Sequence, residues 1–99
     1  MITSKNNELI RYVKKISSKP KARREEKVFF AEGRRLLSET PSDLLVKVLV
    51  SEDFSYGDTP ADQKLQDVLS TCGDVEEVSA GVFSEFSETK HSQGIAAIV

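Results

Sequence analysis

Arg23-Arg24-Glu25-Glu26-Lys27-Val28-Phe29-Phe30-Ala31-Glu32-Gly33-Arg34-Arg35-Leu36-Leu37 is the stretch whose reading decides the fold. It opens as a basic segment, becomes apolar at Val28 to Ala31, and turns at Glu32-Gly33. Apolar spacing then resumes with a helical period, which reads as a strand-to-helix turn. Gly33 suits that turn because a residue without Cβ tolerates positive φ and close backbone approach. The continuous apolarity of Val28 to Ala31 predicts a strand buried on both faces. The N-terminus of the following helix leaves N–H groups free for an anion. Arg34 and Arg35 in its first turn oppose the helix dipole. That placement fits an anionic partner, and it fits two solvated side chains equally well.

Upstream, the spacing predicts a helix over Ile2 to Ser18, capped by Thr3 or Ser4. Leu9, Ile10, Val13 and Ile16 form its inward stripe, with Tyr12 beside it. Lys19-Pro20 stops this helix, since the residue before proline avoids the α region. Lys19 to Lys27 then reads as a loop, with at most a short helical turn. It carries Lys19, Lys21, Arg23, Arg24 and Lys27. Such a segment can follow a phosphate backbone or serve as a solvated connector.

Downstream, Arg34 to Glu39 is a short helix stopped at Thr40-Pro41. Leu44 to Val50 predicts an interior strand, with Lys47 near its end or edge. Phe54 and Tyr56 lie in a polar loop, where aromatic rings fold back onto the core or stack on bases. Thr59-Pro60-Ala61-Asp62 starts a helix. Leu65, Val68 and Leu69 point inward, and Gly73 is the expected C-terminal glycine. Val75 to Val78 is a short strand. Ser79 caps a helix that buries Val82, Phe83 and Phe86. Gln93-Gly94 opens a last strand, Ile95 to Val99, where the chain stops without cap or tail, as at a cut between domains. About four strands alternating with about four helices predict a three-layer α/β/α sandwich around a mostly parallel or mixed sheet.

Ninety-nine residues make one domain. The net charge of −2 conceals a division: residues 1–35 hold eleven Lys/Arg against four Asp/Glu, a net of +7, whereas residues 36–99 hold three against twelve, a net of −9. One basic face for a polyanion follows. The pI near 5.4 argues against a protein that coats nucleic acid over its whole surface. The apolar runs are too short for a membrane span, and no secretory signal core is present. A single cysteine, Cys72, makes no internal disulfide, reads as structural, and fits a reducing cytoplasm. No catalytic set emerges. His91 is the only histidine, lies in a polar link without metal-ligand spacing, and reads as a surface residue. Glu76 and Glu77 point to opposite faces of a strand and form no carboxylate pair.

Taken together, several stretches resemble the N-terminal substrate-binding domain of the SpoU/TrmH family of RNA 2′-O-ribose methyltransferases. They are Ile2-Thr3-Ser4 with Asn6, Arg23, the run Phe29-Phe30-Ala31-Glu32-Gly33-Arg34-Arg35-Leu36, Val82-Phe83, and Gln93-Gly94 leading into Ile95 to Val99. The resemblance implies a fold similar to that of kink-turn-binding ribosomal proteins. It also implies a domain that recruits ribosomal or transfer RNA. A knotted catalytic domain after residue 99 would bind S-adenosylmethionine and form a homodimer; this chain itself would hold no cofactor and no catalytic residue. Lys19, Lys21, Arg23, Arg24, Arg34 and Arg35 are the expected phosphate contacts, with Gln93 and Gly94 either touching RNA or only shaping the last turn. Glu32 is expected to brace its turn or a neighbouring arginine, because a carboxylate repels phosphate. His91-Ser92 departs from the family's Thr-Pro before Gln-Gly. The alternatives are a stand-alone RNA-binding protein of ribosomal type and a protein-interaction domain with a basic face.

Overall fold

The computed structural model describes residues 1–90 and 92–99. In chain order the elements are α1 (Glu8–Ser18), α2 (Pro20–Glu26), β1 (Phe30–Glu32), α3 (Arg34–Ser38), a 3-10 turn (Ser42–Leu44), β2 (Lys47–Ser51), α4 (Pro60–Thr71), β3 (Val75–Val78), α5 (Ala80–Phe86) and β4 (Ile95–Ile98). The strands form one sheet in the order β1-β4-β2-β3. β2 and β3 are parallel, and β4 runs against both β1 and β2. The sheet is therefore mixed.

All four residues of β4 are buried, because it lies between two strands and two helical layers. Ala96 and Ile98 join Ile10, Val13 and Ile16 of α1 and Val82, Phe83 and Phe86 of α5 on one face. Ile95 and Ala97 join Leu37 of α3 and Leu65 and Leu69 of α4 on the other. Period-two alternation divides one strand between two cores, and the expected α/β/α sandwich results.

Local differences have local causes. α1 begins at Glu8 rather than Ile2, and Asn7 caps it instead of Thr3 or Ser4. Asn7 Oδ1 accepts from Leu9 N at 2.9 Å and Ile10 N at 3.4 Å. Ile2 extends the sheet instead, donating from its N to Glu77 O and accepting from Ser79 N, each at 2.9 Å. The expected loop at Lys19 to Lys27 is mostly helix α2. Pro20 ends α1 and then occupies the first position of α2, where its fixed φ and missing N–H cost nothing. α2 closes at Lys27 in the left-handed conformation, φ 58°.

β1 lies two residues closer to the turn than the Val28 start implies, and Phe29 is 72% exposed. β1 is an edge strand, yet Phe30 packs against one core cluster and Ala31 lies in the other, so both its faces are covered and only Phe29, just before it, stands out. β2 likewise begins at Lys47 and not Leu44, since Ser42–Leu44 winds into the 3-10 turn and leaves Leu44 and Val46 exposed. α4 has the expected start: Thr59 and Asp62 form a capping box. Its end differs. Cys72 leaves the helix in an extended conformation, so Gly73 is not the left-handed cap; the positive-φ glycines are Gly33 and Gly94. There are five α-helices rather than four among the described residues. β3 and α5 match their expected bounds, with Ser79 Oγ accepting from Val82 N at 3.2 Å. Cys72 packs against the second core cluster, consistent with a structural role. His91, expected at the surface, lies outside the described residues.

Candidate nucleic-acid interface

β1 ends at Glu32, whose carboxylate gathers the segment after α5. It accepts from Ser87 Oγ at 2.5 Å, Ser92 Oγ at 2.6 Å and Glu88 N at 2.9 Å. The expected bracing role is thus directed at Ser87, Glu88 and Ser92. Gly33 follows with φ 109° and donates to Ile95 O at 3.0 Å. Gln93 Oε1 then accepts from Arg34 N at 2.7 Å. The start of α3, expected to be open to an anion, is capped by a side chain. Gly94, buried with φ 80°, accepts from Ser51 N at 2.8 Å. In this structure Gln93 and Gly94 shape the turn that feeds β4.

Arg34 is held between two partners. Its guanidinium donates to Asp62 Oδ1 at 3.0 Å and lies 4.5 Å above the Phe54 ring. Asp62 is 4% exposed. The Thr59 hydroxyl, the Gly57 backbone and the Arg34 guanidinium hold its pKa down to about 2. Phe54 packs on the core, and the more exposed Tyr56 meets it edge-on at 5.2 Å. Arg35 points outward, with a side chain 90% exposed and only a long 3.8 Å approach to Glu39.

The second basic group lies on α2. Lys19 and Arg24 are exposed, and Lys21 makes only a 3.9 Å contact with Glu25. Arg23 folds back. Its Nη1 donates to Ile16 O at 2.7 Å and Ser17 O at 3.0 Å, placing positive charge at the C-terminus of α1. Pro20, Arg23, Arg24, Lys27, Val28 and Phe29 line a groove of about 410 Å³. Lys27 was expected only as one cation of the basic segment, and Phe29 was not among the expected contacts. Leaving a phenylalanine exposed forgoes about 2 kcal/mol of burial, so Phe29 stands out. The Phe29-Phe30 pair carried the signal: neighbours in a strand face opposite ways. Phe30 packs against the first core cluster and meets Phe86 at 6.3 Å.

The two groups flank the edge strand β1. Arg34, Arg35, Gln93 and Gly94 lie at its end, and Lys19, Lys21, Arg23, Arg24 and Lys27 before its start. Six residue steps lead from Lys27 to Gly33, or roughly 20 Å at about 3.3 Å each in extended chain. Beside the Gly94 turn, a cleft of about 530 Å³ is lined by Asp53, Glu88 and Lys90 among mainly hydroxyl and apolar groups. The α2 end is thus more attractive to a polyanion. Among the described residues, no group of three or more His, Cys, Asp or Glu could hold a metal ion. No helix there is long and apolar enough to cross a membrane.

The family model described as "MRM3-like substrate binding domain" matches residues 7–97. No curated protein matches significantly. Among solved structures, an RNA 2′-O ribose methyltransferase is 25% identical with a TM-score of 0.67, over 98% of this chain and 36% of its own. An rRNA methyltransferase from Sinorhizobium meliloti is 22% identical with a TM-score of 0.68, over 98% and 35%. A Porphyromonas gingivalis protein assigned to the TrmH family of RNA methyltransferases is 20% identical with a TM-score of 0.60, over 94% and 34%. The last two likenesses speak for the fold. This chain spans about a third of the length of each. With a family model covering most of its residues and a sandwich shared with these enzymes, the chain belongs to the MRM3-like substrate-binding domains, in line with its resemblance to the SpoU/TrmH family.

Proposed function

We propose that this domain recruits RNA, ribosomal or transfer, to a 2′-O-ribose methyltransferase. The observation that carries the reading is the run of exposed cations along α2 beside edge strand β1, in a domain of a substrate-binding family. Lys19 and Arg24 offer exposed charge to phosphate oxygens, as do Lys21 and Arg35 despite long contacts with Glu25 and Glu39. Arg23 and Arg34 keep further N–H donors beyond those bound to Ser17 and Asp62. Gln93 and Gly94 act through the turn that sets Arg34 and Arg35. The methyl transfer itself, with S-adenosylmethionine and the homodimer contacts, is assigned to a second, knotted domain following this one. One S. meliloti structure has AdoMet bound, which supports that division of labour. A lone cysteine agrees with work in the cytoplasm.

The test is binding to purified ribosomal and transfer RNA over a range of salt concentrations, beside a Lys19→Ala/Arg24→Ala variant. Each lost phosphate contact lowers the slope of log affinity against log salt by about 0.7 to 0.9. A shallower slope in the variant is expected. Binding that ignores salt, or an unchanged slope in the variant, overturns the reading.

A further inference from the structure

We propose that Phe29 is a stacking platform for an unpaired nucleobase, making the groove beside α2 a site for single-stranded RNA. The inference rests on the RNA-recruiting reading and names the kind of RNA this end of the domain takes. Phe29 is the most exposed aromatic side chain of the described residues, at 72%. It shares its groove with Arg23, Arg24 and Lys27. An aromatic face beside cations is the arrangement that holds single strands: the ring takes the base and the cations take the phosphates. A duplex hides its base faces and cannot use the ring.

The backbone fixes this arrangement. Lys27 takes a left-handed conformation at φ 58°, turning the chain sharply out of α2. Phe29 is then tied by paired hydrogen bonds to Val99, N to O and O to N, each at 2.9 Å. Arg23 is anchored on the Ile16 and Ser17 carbonyls and forms a fixed wall. Arg24 and Lys27 are exposed and make no ion pair within 4.0 Å among the described residues. Their charge favours a nucleic-acid occupant over an apolar protein segment.

The experiment compares the 99-residue chain with Phe29→Leu, Phe29→Tyr and Lys19→Ala/Arg24→Ala variants. Fluorescence anisotropy reads binding of a labelled single-stranded oligouridylate and of a labelled RNA duplex. Thermal unfolding confirms that each variant is folded, and Phe29 is exposed enough for leucine to be tolerated. Loss of one stacked base corresponds to a fall in affinity of roughly 5- to 150-fold. That fall is expected for Phe29→Leu on the single strand, with Phe29→Tyr near the parent and duplex binding unchanged. Equal single-strand binding by Phe29→Leu and the parent overturns the proposal while leaving RNA recruitment standing. Equal loss on strand and duplex also overturns it. If the parent binds neither RNA, both readings fall together.

Discussion

Within one helical layer, Arg34 pairs with Asp62 at 3.0 Å and joins the start of α3 to the first turn of α4. Asp62 also closes the capping box with Thr59. One carboxylate therefore ties two helices and a loop. Its pKa is held at about 2, below the ordinary 3.8, first by the Thr59 hydroxyl. A carboxyl lowered in this way contributes stability above pH 3.8 and loses it as pH falls toward 2. Urea denaturation across that interval should show stability falling with acid. An Asp62→Asn variant should start less stable and show a flatter profile. Parallel profiles would remove Asp62 as the source.

Gly94 should not tolerate a side chain. Its φ of 80° is left-handed, and an added Cβ would meet Ser51 Cβ at 3.4 Å and Phe54 Cβ at 3.5 Å. Left-handed geometry alone costs a non-glycine residue about 1 to 2 kcal/mol. For a domain of this size that lowers Tm by roughly 4 to 15 °C. Calorimetry on Gly94→Ala measures it directly, and an unchanged Tm would contradict the turn's geometry.

Glu32 holds Ser87, Glu88 and Ser92 with three hydrogen bonds, two from hydroxyls and one from the Glu88 amide. A Glu32→Gln variant loses the charge and one acceptor oxygen. Bonds to charged groups contribute about 1.5 kcal/mol or more, which corresponds to roughly tenfold faster exchange for a locally opening amide. Hydrogen exchange at Glu88 should rise by that factor, with the α1 amides unaffected.

Neighbouring arginines should behave differently. Arg23→Ala removes two bonds to α1 carbonyls, with an expected loss of about 1.5 kcal/mol. Arg24→Ala, fully outward, should stay within about 0.5 kcal/mol of the parent. Chemical denaturation separates them. An RNA-binding defect in Arg24→Ala then reports on the interface alone, whereas one in Arg23→Ala mixes binding with folding.

Where a residue's local chemistry and its tertiary setting agreed, the sequence was legible. Thr59-Pro60-Ala61-Asp62 carries its own start signal, and Ser79 its own cap, so α4 and α5 begin as expected. The three-layer division followed from alternation of strand and helix. Ile2 could not be placed from local pattern, because its partners Glu77 and Ser79 lie far along the chain. Pro20 reads both as a stop and as a first helical residue, and only packing of Ala22 against the first core selected the helix. The candidate site was legible in charge but not in geometry. Sequence lists Arg23 and Arg24 alike, and nothing in it says that one turns inward. Phe29 looked buried because an apolar run does not disclose that its strand lies at the rim.

The parallel bridge between Ile2 and Val78 has a consequence for handling this domain. A sheet of four strands has two open margins, and an unpaired margin is a template for another chain. At the β1 margin the strand is only three residues long and flanked by cations, which discourages a visitor. At the β3 margin the protection is the first few residues themselves. Trimming residues 1–4 would remove the Ile2 bonds to Glu77 and Ser79 and bare that margin to strand exchange.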